Sequence, residues 1–578
     1  MNGRSGGADA NRPAGGRVRA LQEAAFPVAD RLAEGPQTCH SWRGLTAGTY
    51  GGDLRRGLTA GIYPSLFIKR TKPGIIRIMT NVRVRYAPSP TGALHVGNIR
   101  TALWDWLYAR HTGGTFILRI EDTDKARETA DGVSMILDAL RQYGLDYDEG
   151  PEKGGPFAPY VQSERLDIYH KYIEQLIADG KAYRAYDLPE ELARMRENQQ
   201  KRGLPPGYDR RHRYITDAER AEYEITRGQH ATVRFAVPLE GETTFTDAVY
   251  GEITVQNRIL EDAILLKSDG FPTYHLAAQV DDHLMEISHV LRGEEWLPSA
   301  PLHILIHRAL GWEPPIYAHL PVMMGPDKKK FGKRNGALGA LEYPKQGYLQ
   351  PATINFLAMQ GWSPKEERDL FTVSELVEKF DLDGILNRSP ISDPEKLLWF
   401  NGQYLRQLSL SDLAAQTLPF LQDAGLVGES PDAETLDYIG RVLALEQERM
   451  KTLAEGPLLA DFFLLGDDEY LFDEKAAQKW LNHPGVADRL RRVRDGFAAL
   501  EVFDEPSAEE VVRATIAEFD VKGGDVIHPV RVAISGRTNG PGLFETIAVL
   551  GRERCINRLN RALGMVVEME AKGDDTRK

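Results

Sequence analysis

His95, Gly97 and Asn98 lie where a predicted strand turns into a predicted helix. Residues 82–86 alternate between apolar side chains and arginines, which is typical of a strand. Two prolines then exclude helix, and apolar residues recur at helical spacing from Ile99 onward. Because the first N–H groups of a helix are unpaired and its dipole is positive there, this position favours an anion. The loop therefore predicts phosphate chemistry, although it lacks the GxGxxG and GxxxxGK[ST] sequences of other phosphate loops.

A second group of candidate residues is the basic run 328–334, which includes Lys330 and Lys333 on either side of Phe331 and Gly332. Lysines that approach a leaving phosphate stabilise the negative charge that develops there. Alone, such a run would indicate a solvated surface loop. Its occurrence in one chain with the histidine loop, at a predicted sheet edge, favours a shared role in phosphate chemistry.

Carboxylates follow the second predicted strand, residues 115–120, at Glu121, Asp122 and Asp124. The carboxyl ends of parallel strands are where open α/β sheets bind ligands. With the preceding strand and helix, this segment completes a β-loop-α-β unit, the first half of a nucleotide-binding fold. By itself the acidic run would indicate an ordinary turn.

The composition limits the class of protein. The chain has 578 residues, 42% of them hydrophobic, so three to five globular domains are expected. Cys39 and Cys555 are too few for a disulfide framework and favour a reducing compartment. No apolar run is long enough to span a membrane. The net charge of −13 restricts any RNA contact to local basic tracks, such as the arginine-rich loop within 194–213.

Several motifs together resemble the class I aminoacyl-tRNA synthetases of the glutamyl and glutaminyl branch. The matching segments are 85–98 around the HIGH signature, 119–124 (RIEDTD), 270–283 (PTYxxAxxVDDH), 290–296 (RGEE) and 330–334 (the KMSKS loop). The resemblance covers residues 80 to about 568. Two positions depart from the pattern, because Gly332 replaces the usual serine and Ala278 stands where some members have asparagine.

The resemblance implies roles for twelve residues. It implies that three of them are catalytic, namely His95, Lys330 and Lys333. It implies that the same three bind ATP together with Gly97, Asn98 and Glu295. Glutamate would be bound by Arg85, Ala87, Ser89, Glu121, Tyr274 and Arg292. Within that set, Glu121 would hold the α-amino group, Tyr274 would lie on the substrate carboxylate side, and Arg292 would meet the side-chain carboxylate. Arg85 and Arg292 are the candidates for rejecting glutamine.

The implied fold class is α/β. It comprises a Rossmann-type class I synthetase catalytic domain with an inserted acceptor-stem domain, followed by all-helical stem-contact and anticodon-binding domains. The expected bounds are 1–78 for an N-terminal extension, 79–160 and 268–327 for the catalytic domain, 161–267 for the inserted domain, 328–409 for the stem-contact domain, 410–568 for the anticodon-binding region and 569–578 for a flexible tail. The extension is expected to be disordered, or to result from a start site assigned too early, because members of this family normally begin at the position of Met79. A transit peptide is the alternative.

The implied reaction is ATP-dependent ligation of L-glutamate to tRNA(Glu) through a glutamyl-adenylate, with release of AMP and pyrophosphate. Mg²⁺ would arrive with ATP, without dedicated protein ligands. No structural zinc is expected, because Ala185 and Asp187 occupy the first pair of positions at which some members carry cysteines. The expected partners are glutamate, ATP and tRNA(Glu), with no membrane, and the expected state is a cytoplasmic monomer. Whether tRNA(Gln) is also charged stays open.

Three other functions are compatible with parts of this pattern. A glutaminyl-tRNA synthetase is disfavoured by the helical C-terminal region, where that branch carries β-barrels. A shortened tRNA-modifying paralogue is disfavoured by the presence of that region at all. A nucleotidyltransferase of the HIGH superfamily is disfavoured by the acidic strand motif and the chain length.

Overall fold

The computed structural model describes residues 67–68, 81–92, 94–205, 207–332 and 337–575, which divide into two compact units. The described residues of one unit fall within Thr49–Tyr343 and Gln350–Leu397, and those of the other within Pro344–Leu349 and Leu398–Lys578. From the predicted extension at 1–78, two described residues form a short strand, and the rest of that prediction lies outside the described residues. No helix in these ranges is both long and apolar enough to cross a lipid bilayer.

Within the described ranges, the first unit contains all of the β-sheets and nine α-helices. Its strands are β1 (Phe67–Ile68), β2 (Arg83–Tyr86), β3 (Thr115–Leu118), β4 (Ala182–Ala185), β5 (Thr232–Phe235), β6 (Glu242–Asp247), β7 (Gly251–Gln256), β8 (Ile264–Leu266), β9 (His289–Gly293) and β10 (Ile316–Leu320). Its helices are Val96–Thr112, Gly132–Gln142, Leu166–Ala178, Pro189–Lys201, Asp217–Arg227, Tyr274–Leu284, Ala300–Ala309, Gln350–Ala358 and Val373–Lys379. A further helix, Pro394–Leu405, includes residues of both units.

The predicted β-loop-α-β unit is confirmed by β2 and β3, which run parallel and are connected by the helix Val96–Thr112. Gly113 ends this helix in the left-handed region, at φ 64°, which glycine adopts without strain. After β3, the Glu121 N–H donates to Pro88 O at 3.0 Å. The acidic segment therefore lies directly beside the proline loop.

A second sheet has five strands in the order β1-β7-β6-β10-β9. Strand β10 pairs in parallel with β6 and β9, whereas β7 is antiparallel to β6 and β1. The start of β9 meets β2, because Ser288 N–H donates to Arg83 O at 2.9 Å. The sequence analysis placed β6 and β7 in the inserted domain, 161–267, but in the structure β6 pairs with the catalytic strand β10, and β7 pairs with β6 and β1. Alternating burial identifies β6 as a strand without identifying its partner.

The inserted segment has its own antiparallel sheet in the order β4-β5-β8. Tyr169 and Leu176 of the helix Leu166–Ala178 pack into a core with Phe235. Strand β8 belongs to this sheet, because it pairs with β5, and its residues lie within the expected inserted domain, 161–267. A short apolar run indicates a buried strand, but its hydrogen-bond partner is set by contacts distant in sequence.

The described part of the second unit is helical, as predicted. Its helices are Leu410–Asp423, Ala433–Ala444, Gly456–Leu464, Glu474–Trp480, Val486–Ala499, Glu505–Glu518, Gly524–Ser535, Leu543–Leu550 and Arg552–Asp575. Four of them begin at a side chain that accepts a backbone N–H of the first turn, namely Ser409, Asp432, Asp473 and Asp504. The last helix continues to Asp575, so most of the expected flexible tail, 569–578, is helical. Glutamate, alanine and lysine favour helix there, and the final three residues lie outside the described part.

Candidate active site

A cavity of about 730 Å³ lies beyond the carboxyl ends of β2, β3, β9 and β10. Every predicted site residue that the structure describes lines it, namely Arg85, Ala87, Ser89, His95, Gly97, Asn98, Glu121, Tyr274, Arg292, Glu295 and Lys330. Lys333 lies outside the described residues. Motifs that are far apart in the sequence therefore share one site.

His95 is the N-cap of the helix Val96–Thr112. Its Nδ1 accepts from the Gly97 N–H at 3.1 Å, while Asn98 Oδ1 accepts from the His95 N–H at 3.2 Å. Burial, reinforced by the positive charge of Lys330, lowers the pKa of His95, so the ring is neutral at physiological pH. Because Nδ1 accepts, the proton of the neutral ring is on Nε2, which is a donor.

The cap also explains the glycine at position 97. A Cβ at Gly97 would come within 2.9–3.0 Å of the His95 ring, which is closer than real contacts allow. Glycine therefore permits the ring to fold back over the helix N-terminus. Arg100, one turn along, lines the same cavity and donates to Gln360 O at 2.9 Å. Burial lowers the pKa of Arg100 to about 10, so it remains a cation.

Four buried charges form a network at one wall of the cavity. Arg85 donates to both carboxylate oxygens of Asp282, at 2.9 and 3.3 Å. Arg119 contacts the same Asp282 at 2.8 Å and Glu121 at 2.9 Å. Burial favours the neutral form of Asp282, but the charges of Arg85 and Arg119 outweigh it and lower the pKa of Asp282 to about 2. Burial raises the pKa of Glu121, and Arg119 offsets only part of that effect. Arg85 is thus already bound by a carboxylate of the chain.

Arg292 has different surroundings. Its guanidinium donates to neutral partners, at 3.1 Å each: His319 Nε2, His303 Nδ1 and the Tyr274 hydroxyl. Its side chain also lies over the ring of Tyr317, with 4.9 Å from Cζ to the centroid. Among the described residues no carboxylate forms an ion pair with Arg292, and its buried Nη2 has no hydrogen-bond partner. Glu294 and Glu295 follow Arg292 closely in the chain, yet neither is among the described residues that bind it.

Two glutamates follow Arg292, and they have different surroundings. Glu294 accepts from the Val322 N–H at 2.9 Å and from the Tyr250 hydroxyl, so it ties the end of β9 to neighbouring segments. Glu295 is exposed and lines the cavity. Trp296 packs against Tyr274 with ring centroids 4.0 Å apart and ring planes tilted by 35°, and it lines the cavity too.

The segment with Lys330 is held at its buried end. The Phe331 N–H donates to Met323 O at 2.8 Å, and Phe331 is 8% exposed, whereas Lys330 itself is exposed at the cavity. Among the residues that the structure describes, the nearest atom to a Cβ added at Gly332 would be Lys330 O, at 3.9 Å. The missing serine of the KMSKS pattern is therefore not excluded by crowding.

The other departures from the family pattern lie outside the cavity lining. Ala278 is fully buried in the helix Tyr274–Leu284. At the positions where some members carry zinc, Ala185 is buried in β4, and Asp187 accepts from the Tyr208 hydroxyl at 2.7 Å. His212 Nδ1 lies 3.2 Å from the same carboxylate. At the second of these positions, hydrogen bonds thus connect Asp187 to Tyr208 and His212.

Several residues of the site were missed by sequence reasoning. Arg119 and Asp282 lie inside the quoted RIEDTD and VDDH segments, so a signal was present, but no role followed from it. Arg100 and Trp296 follow the histidine and glutamate motifs at helical or short spacing. His319 belongs to none of the motifs. It contacts Arg292 only because β10 lies beside β9.

Comparisons with known proteins agree with this arrangement. The family described as tRNA synthetases class I (E and Q), catalytic domain, matches residues 81–399, and the anticodon binding domain matches 412–563. A glutamate–tRNA ligase of Dehalococcoides mccartyi is 46% identical over 492 residues, which are 85% of this chain and 99% of that protein. One from Moorella thermoacetica is 44% identical over 490 residues, with the same two coverages.

Solved structures agree as well. The crystal structure of a glutamate tRNA ligase from Elizabethkingia meningosepticum, in complex with its amino acid, matches at TM-score 0.77 and 35% identity. The match covers 84% of this chain and 100% of that one. The glutamate-tRNA synthetase of Elizabethkingia anophelis matches at TM-score 0.74 and 34% identity. The chain belongs to the glutamate–tRNA ligase family of class I aminoacyl-tRNA synthetases.

Proposed function

We propose that the chain ligates L-glutamate to tRNA(Glu) in two transfers. In the first, an α-carboxylate oxygen of glutamate attacks the α-phosphorus of ATP and pyrophosphate leaves. In the second, the terminal ribose hydroxyl of the tRNA attacks the acyl carbon of glutamyl-adenylate and AMP leaves. Neither step needs a protein nucleophile, so the chain contributes positioning and charge stabilisation.

The phosphates of ATP are assigned to the helix N-terminus and the lysine segment. Nε2–H of His95 can donate to a phosphate oxygen, because Nδ1 is occupied by the Gly97 N–H. Gly97 and Asn98 line the cavity beside His95 and are assigned to ATP through the motif match, while their own N–H groups donate to His95 Nδ1 and His95 O. Glu295 is assigned to the ribose or adenine. Lys330 and Lys333 stabilise the charge that develops on the leaving pyrophosphate.

Mg²⁺ is implied by the family. No group of three or more His, Cys, Asp and Glu that could hold a metal ion occurs among the described residues. We expect the ion to enter on the phosphates of ATP, since Mg²⁺ binds phosphate oxygens and keeps most of its waters. Bound there, it neutralises phosphate charge.

The part of the cavity around Arg292 is the main support for glutamate as the substrate. The buried Arg292, with an unpartnered Nη2 and no ion pair among the described residues, is the observation that points to an anionic side chain. Leaving a buried cation without a counter-ion is unfavourable, so a carboxylate that enters this position gains affinity that an amide does not. Glu121 is assigned to the α-amino group, and Tyr274 to the carboxylate beside Arg292. Arg85, Ala87 and Ser89 complete the wall.

Isotope exchange between ATP and pyrophosphate tests the reaction. We expect exchange with glutamate and much less with glutamine or aspartate, each measured with and without tRNA. Charging of tRNA(Glu) and tRNA(Gln) in parallel determines the range of tRNAs. Absence of glutamate-dependent exchange and charging would refute the proposal. The cytoplasmic, monomeric state expected from the sequence stays a prediction.

A further inference from the structure

A chain of hydrogen bonds fixes Arg292 from behind the cavity. Asp247, His319 and Arg292 lie on the three neighbouring strands β6, β10 and β9, and His319 is directly opposite Arg292 in the parallel pairing. Asp247 Oδ2 lies 2.6 Å from His319 Nδ1, and His319 Nε2 lies 3.1 Å from Arg292 Nε. Asp247 and His319 are at most 1% exposed, and neither lines the cavity.

The direction of each bond in this chain follows from donor chemistry. An arginine Nε–H only donates, so His319 Nε2 must accept and must carry no proton. The proton of the neutral ring is then on Nδ1, where it donates to Asp247. Burial lowers the pKa of His319 and the charge of Arg292 lowers it further, which together outweigh the opposing effect of Asp247. The ring therefore faces Arg292 as a neutral acceptor.

The other side of Arg292 is built in the same way. His303 Nδ1 accepts from Arg292 Nη1 at 3.1 Å, so the proton of His303 is on Nε2, which lies 3.0 Å from His275 Nδ1. Burial lowers the pKa of His303 well below its ordinary value. Two neutral imidazoles and the Tyr274 hydroxyl thus orient the guanidinium without cancelling its charge.

We infer that His319, held in one tautomer by Asp247, is a positioning residue that orients Arg292 and leaves its positive charge available to a carboxylate of the substrate. A carboxylate in place of His319 would hold Arg292 equally well, as Asp282 holds Arg85 on the neighbouring wall, but it would neutralise the charge. The inference rests on the proposed function. It gives a role to Asp247 and His319, two buried residues that do not line the cavity.

Two variants of nearly equal size separate orientation from charge. In His319→Gln, the amide oxygen can still accept from Arg292 Nε, so we expect a small rise in the KM for glutamate. In His319→Glu, the carboxylate pairs with Arg292 and competes with the substrate, so we expect that KM to rise by about ten- to a hundredfold. The kcat at saturating glutamate should change less than the KM. The preference for the substrate glutamate over glutamine should narrow in His319→Glu but not in His319→Gln.

The measurement is glutamate- and glutamine-dependent pyrophosphate exchange on the full chain, with a thermal melt of each variant. Equal KM values in the two variants would overturn the inference, because a purely structural histidine does not distinguish an amide from a carboxylate. If His319→Glu does not fold, His319→Asn takes its place. Its shorter amide can meet Asp247 but not Arg292, so a KM no higher than that of His319→Gln would overturn the inference. A wild-type chain without glutamate-dependent exchange would instead refute the proposed function.

Discussion

Arg292→Ala is the most informative single substitution. A hydrogen bond to a charged group contributes about 1.5–3 kcal/mol, so a two-bond contact with a carboxylate is worth about 3 kcal/mol or more. At about 1.4 kcal/mol for each factor of ten, the KM for glutamate should rise by about a hundredfold or more. Glutamine offers only one amide oxygen and so makes one such bond, worth about 1.5 kcal/mol or more. The difference of about 1.5 kcal/mol means that the preference for glutamate should narrow by about tenfold.

The stability of this variant should differ from that of a salt-bridge mutant. Arg292 has no ion pair among the described residues, so its removal breaks no ion pair there. Arg83 provides a matched control, because it lies on β2, is 6% exposed, and binds both oxygens of Glu149 at 2.8 and 2.9 Å. Arg83 does not line the cavity. Arg83→Ala should cost about 3–5 kcal/mol in the free energy of unfolding and should leave the glutamate-to-glutamine ratio of kcat/KM intact.

The assay combines that ratio with thermal melts of both variants. A glutamate-to-glutamine ratio that is unchanged in Arg292→Ala, together with a lowered melting temperature, would refute the reasoning and make Arg292 structural. Equal increases in KM for both amino acids would place Arg292 on the α-carboxylate that they share. Only a narrowed ratio supports contact with the side-chain carboxylate.

Lys333→Ala should slow adenylate formation by about two to three orders of magnitude, with little effect on glutamate affinity. Lys330→Ala should slow adenylate formation less severely. Turnover like that of wild type in a variant would show that its lysine does not act in adenylate formation. Gly332→Ser should fold normally, since the position is uncrowded, and a melting temperature several degrees lower would contradict this. Removal of residues 1–78 should leave charging and the melting temperature unchanged, which an aminoacylation assay and a melt can check. Arg85 and Arg119 lower the pKa of Asp282 in the folded chain to about 2, from an ordinary value of 3.8. The contribution of Asp282 to stability is therefore present above about pH 4 and is lost as the pH falls towards 2. Asp282→Asn should flatten this acid limb in denaturant titrations, and an unchanged slope would contradict the assignment.

The sequence predicted the local elements of the site better than their pairing. Helix starts and the first strand–loop–helix unit follow from prolines, glycines and apolar spacing within a few residues. An alternating pattern or a short apolar run, as at β6 and β8, does not say which sheet a strand joins. As a result β6, and with it Asp247, was assigned to the inserted domain, although it pairs with β10.

The same distinction explains which site residues could be found. His95 and Lys330 belong to segments in which neighbouring residues already suggest phosphate chemistry, and Glu121 was identified through the motif match. Arg85 and Arg292 looked equivalent, because both are arginines at strand positions within matching motifs. What separates them is a partner far away in the sequence: Asp282 accepts from Arg85, whereas neutral histidines accept from Arg292. Under the proposed function, selectivity for glutamate depends on Arg292 having no carboxylate partner among the described residues, and no local sequence pattern records that.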